Sequence, residues 1–480
     1  MILVVSLLIS VSQAASDSRY EITFGDTTGR TASVAASIDV RGDRLSMRNG
    51  GNNLPHGFAT FVTIRSVRDG SGNNVGFRRD SISQWKLDKP IGRATITYDI
   101  DLSFARENWP SGNEQAAQWE SGALYSVTKP FFVTGAVDAA AEVSFRVPRG
   151  WDVATPWPLV SGKANTFSVK DESSLTDNSI VIGGFRADRF VSGPFSFTLA
   201  TFGRTSVAAP LMSSAMNLVA KEYVRVFPGT PPTSYLMTVF MGSENDGEAF
   251  DQSFAFRTGS VPSQSNAIMW ATTLAHELFH FWNGHSTRGA DGIWSAWLSE
   301  GVTEYYANRT LLRTGVLPPS AFLAKAENMA GLYTYFRTQP MFDSVTVGTA
   351  GSRRTRYRFG VYNGGWAVGF ALDRSISEAT GGRANLDDVM RDLFTAHPEA
   401  TKPYTAADFV SIVSKAAGKD LRPFFAQYVD GKDLLPLEQL FNGLGIDANF
   451  ISYTGEAYFV FRQSPNAAQR ADWKRYSMQP

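Results

Sequence analysis

Two histidines four residues apart, with a glutamate beside the first, stand at His276-Glu277-Leu278-Phe279-His280. On a helix, side chains at i and i+4 lie one turn apart on the same face. Two imidazoles so placed can meet one zinc ion, while the glutamate next to the first reaches a water rather than the metal. Leu274, Leu278 and Phe281 predict an apolar stripe, and hence a helix over 273–283 packed on one side. The alternative is a core helix whose histidines are only hydrogen-bonded. The chain has five histidines, His56, His276, His280, His285 and His397, so finding two of them in this arrangement carries weight.

A catalytic zinc site takes three protein ligands and leaves one position for water. Glu300 lies twenty residues beyond His280, room for a loop and a returning antiparallel helix. Glu304 is one turn further along and is placed to accept a proton from a ligand histidine. On spacing alone, two solvated glutamates on a surface helix fit equally well.

Composition narrows the chemistry. The chain of 480 residues contains no cysteine, which excludes disulfides, thiolate metal sites and cysteine nucleophiles. Any metal is therefore held by nitrogen and oxygen. The 45 basic and 45 acidic residues balance, and no long Lys/Arg run occurs, so a nucleic-acid partner is not expected. With 43% hydrophobic and 19% charged residues, the chain is expected to fold.

The stretch Ile2 to Val11 is apolar but too short to span a bilayer, and Ser12 and Ala14 are small. We read residues 1–15 as a signal peptide, which implies a secreted or periplasmic protein. No other stretch is apolar and long enough for a membrane span.

From Tyr20 to Phe197, short period-two runs such as TASVAASIDV and RATITYDIDLSF alternate with Gly/Asn/Asp clusters. This pattern predicts an all-β sandwich over residues 17–200. Beyond residue 210 the period changes. Tyr235–Met241 reads as a buried strand, and helical spacing dominates from Ile268, for example over 296–314, 386–396 and 406–416. An α-rich catalytic domain with a small β element is expected over 201–430, with a short extension over 431–480.

The segments HELFHFWNGH and WSAWLSEGVTEYYANRTLLRTG resemble the gluzincin peptidases, and most closely the glycyl-aminopeptidase family. Trp282-Asn283, Trp297, Ser299, Glu300, Gly301, Thr303, Tyr305 and Tyr306 match that family's pattern. The resemblance implies a thermolysin-like catalytic domain behind an N-terminal β domain. It also implies one Zn2+ per chain held by His276, His280 and Glu300, a peptide substrate, and Glu277 as general base on a zinc-bound water. The segment Tyr362-Asn363-Gly364-Gly365 resembles one that supplies an oxyanion-binding phenol, which implies that role for Tyr362, with Tyr357 as the second choice. The lysine of that pattern is Gly364 here.

Two departures bear on specificity. The family grips the substrate's amino group with a glutamate on an edge strand before the zinc helix. Aligned on Gly247 and Ser253, that position is Ala249, with Glu248 and Asp251 as stand-ins out of register. The expected activity is an aminopeptidase; the alternatives are a metallo-endopeptidase and an inactive binding or scaffold relative. The second departure is at the end, where residues 431–480 are too few for the complete PDZ domain that often closes the family. Nothing in the sequence sets the oligomeric state.

Overall fold

A computed structural model describes residues 18–478, apart from 29, 49, 51–53, 104–116, 136 and 138. Residues 1–15, read above as a signal peptide, lie outside the described residues. The chain divides into two compact units. The first runs to Arg186 and takes in Ser234–Leu236 and Asp251–Ser253; the second comprises Ala187–Thr233, Met237–Phe250 and Phe254–Pro480.

The first unit is built on the alternation seen in the sequence. Thr31–Asp39 buries every second residue, and its buried Ala32, Val34, Ala36 and Ile38 stand opposite Ile100, Tyr98, Ile96 and Ala94 of the antiparallel strand Arg93–Asp101. A one-residue slip would turn both rows to solvent, so burial fixes this register. These strands are the centre of a six-stranded sheet in the order Thr166–Val169, Ala141–Arg146, Ser18–Thr23, Thr31–Asp39, Arg93–Asp101, Val62–Asp69. A four-stranded sheet contributes Leu124, Ile180 and Ile182 to the same apolar core, which also holds Phe131, Phe132 and Trp157. Its strands Ala123–Val127 and Ser179–Gly183 are buried along their whole length. The unit is thus a β sandwich, as the alternation predicts.

The second unit opens with strands. Arg186–Ser192 and Phe195–Thr201, which the period-two pattern assigns to the β domain, pair into a different sheet. Its order is Arg186–Ser192, Phe195–Thr201, Thr233–Met241, Ser253–Thr258, Asp246–Ala249. The local period is the same in both sheets, so it does not reveal which sheet a strand joins. Helices follow. Ala267–Phe279 carries the histidine motif, Thr303–Arg313 carries Glu304, and Pro319–Thr338 and Gly365–Thr380 pack nearby.

An aromatic cluster seats the motif helix. Phe279 stacks on Tyr306 with ring centroids 4.4 Å apart, Trp282 stacks on Phe227 at 5.1 Å, and the Tyr223 hydroxyl donates to the Ala275 carbonyl at 2.9 Å. A buried ionic network anchors Thr303–Arg313. Asp387 accepts from Arg309 at 2.8 Å, Arg313 at 3.0 Å, Arg225 at 2.8 Å and the Tyr306 hydroxyl at 3.0 Å.

The last fifty residues fold onto this unit. The hairpin Ile446–Ile451/Glu456–Phe461 is tied down where Glu327 accepts from the Phe459 N–H at 2.7 Å, and Asp472 of the helix Ala467–Ser477 pairs with buried Arg374 at 2.9 Å. Among the described residues, no helix is long and apolar enough to cross a membrane.

Candidate active site

The motif lies at the end of the buried helix Ala267–Phe279, with His280 as its C-cap. The i, i+4 spacing brings the two imidazoles together: His276 Nε2 and His280 Nε2 are 3.0 Å apart. Glu300 Oε2 lies 3.6 Å from the first and 3.8 Å from the second. Donor atoms bound at about 2.0–2.1 Å around a tetrahedral zinc stand about 3.3 Å from one another, so this triangle is the size that zinc requires. The two nitrogens and one carboxylate oxygen are the donor chemistry of a catalytic zinc site.

Each imidazole has an oxygen at its Nδ1 that can orient the ring with Nε2 toward the cluster. His276 Nδ1 is 2.8 Å from Glu304 Oε2, and His280 Nδ1 is 3.0 Å from the Asn283 carbonyl oxygen. In the neutral imidazoles an Nδ1–H would donate to that oxygen, which leaves each Nε2 lone pair for a cation. Lys325 Nζ lies 2.7 Å from the other oxygen of Glu304 and fixes that carboxylate in turn. Asn283 also ties the two ligand-bearing segments together, since its amide donates to the Leu298 carbonyl at 2.8 Å and to Thr303 Oγ1 at 3.0 Å.

Glu300 occupies a π-helical turn, Trp297–Val302, that runs into the helix Thr303–Arg313. Tyr362 occupies a second one, Phe359–Gly364, that runs into Gly365–Thr380. Such turns carry one residue more than α-helical turns and are frequent at functional sites. Gly301 and Gly365 meet where the two turns pack, and a Cβ on either would collide with the other's backbone or with the Trp297 carbonyl. This approach brings Tyr362 beside His276. Its ring lies nearly parallel to that of His276, with centroids 6.4 Å apart, and its hydroxyl oxygen is 3.0 Å from Arg354 Nη2. Tyr357, the second choice for this role, stands with its ring under the Arg356 guanidinium instead.

Glu277 is buried beside the motif, with the edge strand Asp246–Ala249 against it; a Cβ on Gly247 would touch its carboxylate. Burial pushes the Glu277 carboxyl up to about 8, opposed by the charge of His276 and reinforced by Glu248 and Glu300. Burial would lower His276, but its bonds to Glu300 and Glu304 outweigh that and raise it to about 10. His280 is held down at about 4 by burial. Glu300 sits well below the usual carboxylate range despite its burial, because His280, His276 and Arg354 surround it. The imidazoles and the Glu300 carboxylate bring together donor atoms that could hold a divalent cation.

Glu248, one of the two residues considered for the substrate's amine, is on the edge strand and adds its charge at Glu277. Asp251, the other, groups with the first unit and accepts from Ser174 Oγ at 2.6 Å there. It is not brought into the cluster around Glu277. Sequence reasoning missed Arg354 and Lys325, and the hydrogen bonds of Asn283. Only Asn283 had a signal, its place directly after the motif helix.

A β-sandwich unit followed by a helical unit holding two histidines and a glutamate defines a gluzincin metallopeptidase. Residues 19–184 match the model of the Peptidase M61 N-terminal domain, and residues 269–347 that of M61 glycyl aminopeptidase. The chain belongs to the M61 glycyl aminopeptidase family. No curated protein sequence matches it. Among solved structures, an aminopeptidase N family protein from Idiomarina loihiensis superposes with a TM-score of 0.76 at 17% identity, over 90% of this chain and 79% of that one. An M1 zinc metallopeptidase from Deinococcus radiodurans superposes with a TM-score of 0.55 at 14% identity, over 88% of this chain and 94% of that one. At such identities these likenesses speak to the fold alone.

Proposed function

We propose that this protein is a zinc-dependent aminopeptidase that hydrolyses peptide bonds, with His276, His280 and Glu300 as ligands of one Zn2+ per chain. The observation that carries the reading is the triangle of His276 Nε2, His280 Nε2 and Glu300 Oε2, with separations of 3.0, 3.6 and 3.8 Å. When bound, zinc supplies Lewis acidity that polarises a carbonyl and makes water more acidic.

The chain's own residues do the rest. Glu277 takes a proton from the attacking water and hands it to the leaving amine. A carboxyl raised to about 8 is suited to both steps near neutral pH. The Tyr362 hydroxyl donates to the oxyanion that develops on the substrate carbonyl. Glu304 and the Asn283 carbonyl keep the ligand imidazoles oriented. Glu248, whose charge acts at Glu277 from the edge strand, is the proposed partner of the substrate's free ammonium, and the match to the glycyl aminopeptidase model supports cleavage at the N-terminus.

The test is digestion of a peptide library with free and N-acetylated members, read by mass spectrometry, alongside metal analysis. The expected result is one zinc per chain and stepwise loss of N-terminal residues from free peptides only. Equal cleavage of acetylated peptides at internal bonds identifies a metallo-endopeptidase instead. Bound zinc without any hydrolysis identifies a binding relative.

A further inference from the structure

Among the described residues, Arg354 is the cation that touches both the proposed third metal ligand, Glu300, and the proposed oxyanion tyrosine, Tyr362. It follows a short 3-10 turn, Ala350–Arg353, and its side chain is half exposed. Its Nη2 contacts Glu300 Oε1 and lies 3.0 Å from the Tyr362 hydroxyl oxygen. The guanidinium carbon stands 5.7 Å from the centre of the Tyr362 ring.

The two oxygens of Glu300 therefore face different partners. Oε2 points to both imidazole nitrogens, while Oε1 is held by Arg354. A carboxylate beside a divalent cation can bind through one oxygen or both, and binding through both fills the position that a reacting water needs. Arg354 has donors and no acceptor, so at the tyrosine it gives a hydrogen to the phenol oxygen. The phenol's own hydrogen is then turned toward an acceptor, Glu300 or a substrate oxyanion.

The backbone explains how one side chain reaches both. Arg354 and Tyr362 are eight residues apart, across a turn closed by an i, i−4 bond from the Tyr357 N–H to the Arg353 carbonyl and the π-helical turn Phe359–Gly364. One α-helical turn and one π-helical turn of about 4.4 residues sum to about eight, so the two side chains return to one face. Uninterrupted α-helix would rotate them apart by about 80°.

We propose that Arg354 is a positioning residue of the metal centre: it holds back one oxygen of Glu300, so that this ligand offers the ion a single oxygen, and it aims the Tyr362 hydroxyl. This rests on the metal being bound as proposed above.

The experiment uses the full chain loaded with Co2+, whose visible absorption weakens as coordination number rises, with Arg354→Gln, Arg354→Ala and Arg354→Lys compared with the unaltered protein. In Arg354→Gln we expect weaker cobalt absorption, as Glu300 swings to bind through both oxygens, and zinc affinity lower by about 10- to 100-fold. We expect kcat to fall about 100-fold with KM changed by less than about threefold. Arg354→Lys retains a charge but not the planar fork, so an intermediate spectrum is expected. Millimolar guanidinium should restore part of the kcat of Arg354→Ala, because the half-exposed site admits it. Spectra and zinc affinities of all three variants matching the unaltered protein overturn the proposal, whatever their activity. The spectra need no substrate, so an inert but cobalt-binding protein sinks the peptidase reading and leaves this one standing.

Discussion

Gly301 and Gly365 pack backbone against backbone, and that contact sets the distance between Glu300 and Tyr362. Each lies within three residues of one of the two site side chains, on or next to a π-helical turn. Gly301→Ala should destabilise the protein by about 1–3 kcal/mol through overpacking. It should also lower zinc affinity, since the displaced segment carries a ligand. Thermal unfolding with and without zinc checks this; a variant that loses stability but binds zinc unchanged contradicts the coupling.

In the proposed site, Glu304 and Lys325 would act on the metal through His276. Glu304→Gln keeps the shape but can present an amide N–H to Nδ1, and we expect zinc affinity to fall about 10- to 100-fold. Competition with a fluorescent chelator measures it. An unchanged affinity shows that the bond does not set the tautomer.

In the proposed mechanism Glu277 moves protons and does not bind the ion. Glu277→Gln should keep the zinc content of the unaltered protein and lose at least about 10²- to 10⁴-fold in kcat. Metal analysis beside peptide turnover separates this from loss of the ligand set.

Zinc bound to the folded chain and not to the unfolded one stabilises it by mass action, by about 4 kcal/mol at a thousandfold excess over the dissociation constant. Chelation should therefore lower the unfolding temperature and abolish hydrolysis together, and added zinc should restore both. Removal of zinc with the unfolding temperature unchanged counts against a site formed only by the fold.

The Asp387 network gives a pH-dependent prediction. Burial opposes its ionisation, but Arg309, Arg313 and Arg225 hold the Asp387 carboxyl well below the usual carboxylate range. A group with a depressed folded-state pKa contributes stability that is present above its unfolded value of about 3.9 and is lost as pH falls toward the folded value. Asp387→Asn removes the carboxylate that Arg309, Arg313 and Arg225 share, leaving them Asp373 and Glu222, and should cost about 3–5 kcal/mol at pH 7. The gap between variant and unaltered protein should stay constant down to about pH 5 and narrow below about pH 4. A gap independent of pH from 7 to 3 refutes this linkage.

Much of this protein follows from local pattern. The i, i+4 spacing of His276 and His280 needs only a helix to converge two nitrogens, and the helix Leu386–Ala396 appears with the predicted ends because Asn385 and Asp388 form a capping box within a few residues. The sandwich strands follow from period-two alternation for the same reason, since one turn or pleat decides each face. Tertiary structure decided what depends on the path of the whole chain. It placed Arg186–Ser192 and Phe195–Thr201 in the second sheet, gave Asp251 to Ser174 while leaving Glu248 on the edge strand, and set the Tyr362 ring beside His276 and the Tyr357 ring by Arg356. It also delivered Lys325 to Glu304 and Arg354 to Glu300. Those pairs form between helical segments far apart in sequence, through a glycine contact and two widened turns, and no periodicity in a single segment encodes where another segment will lie.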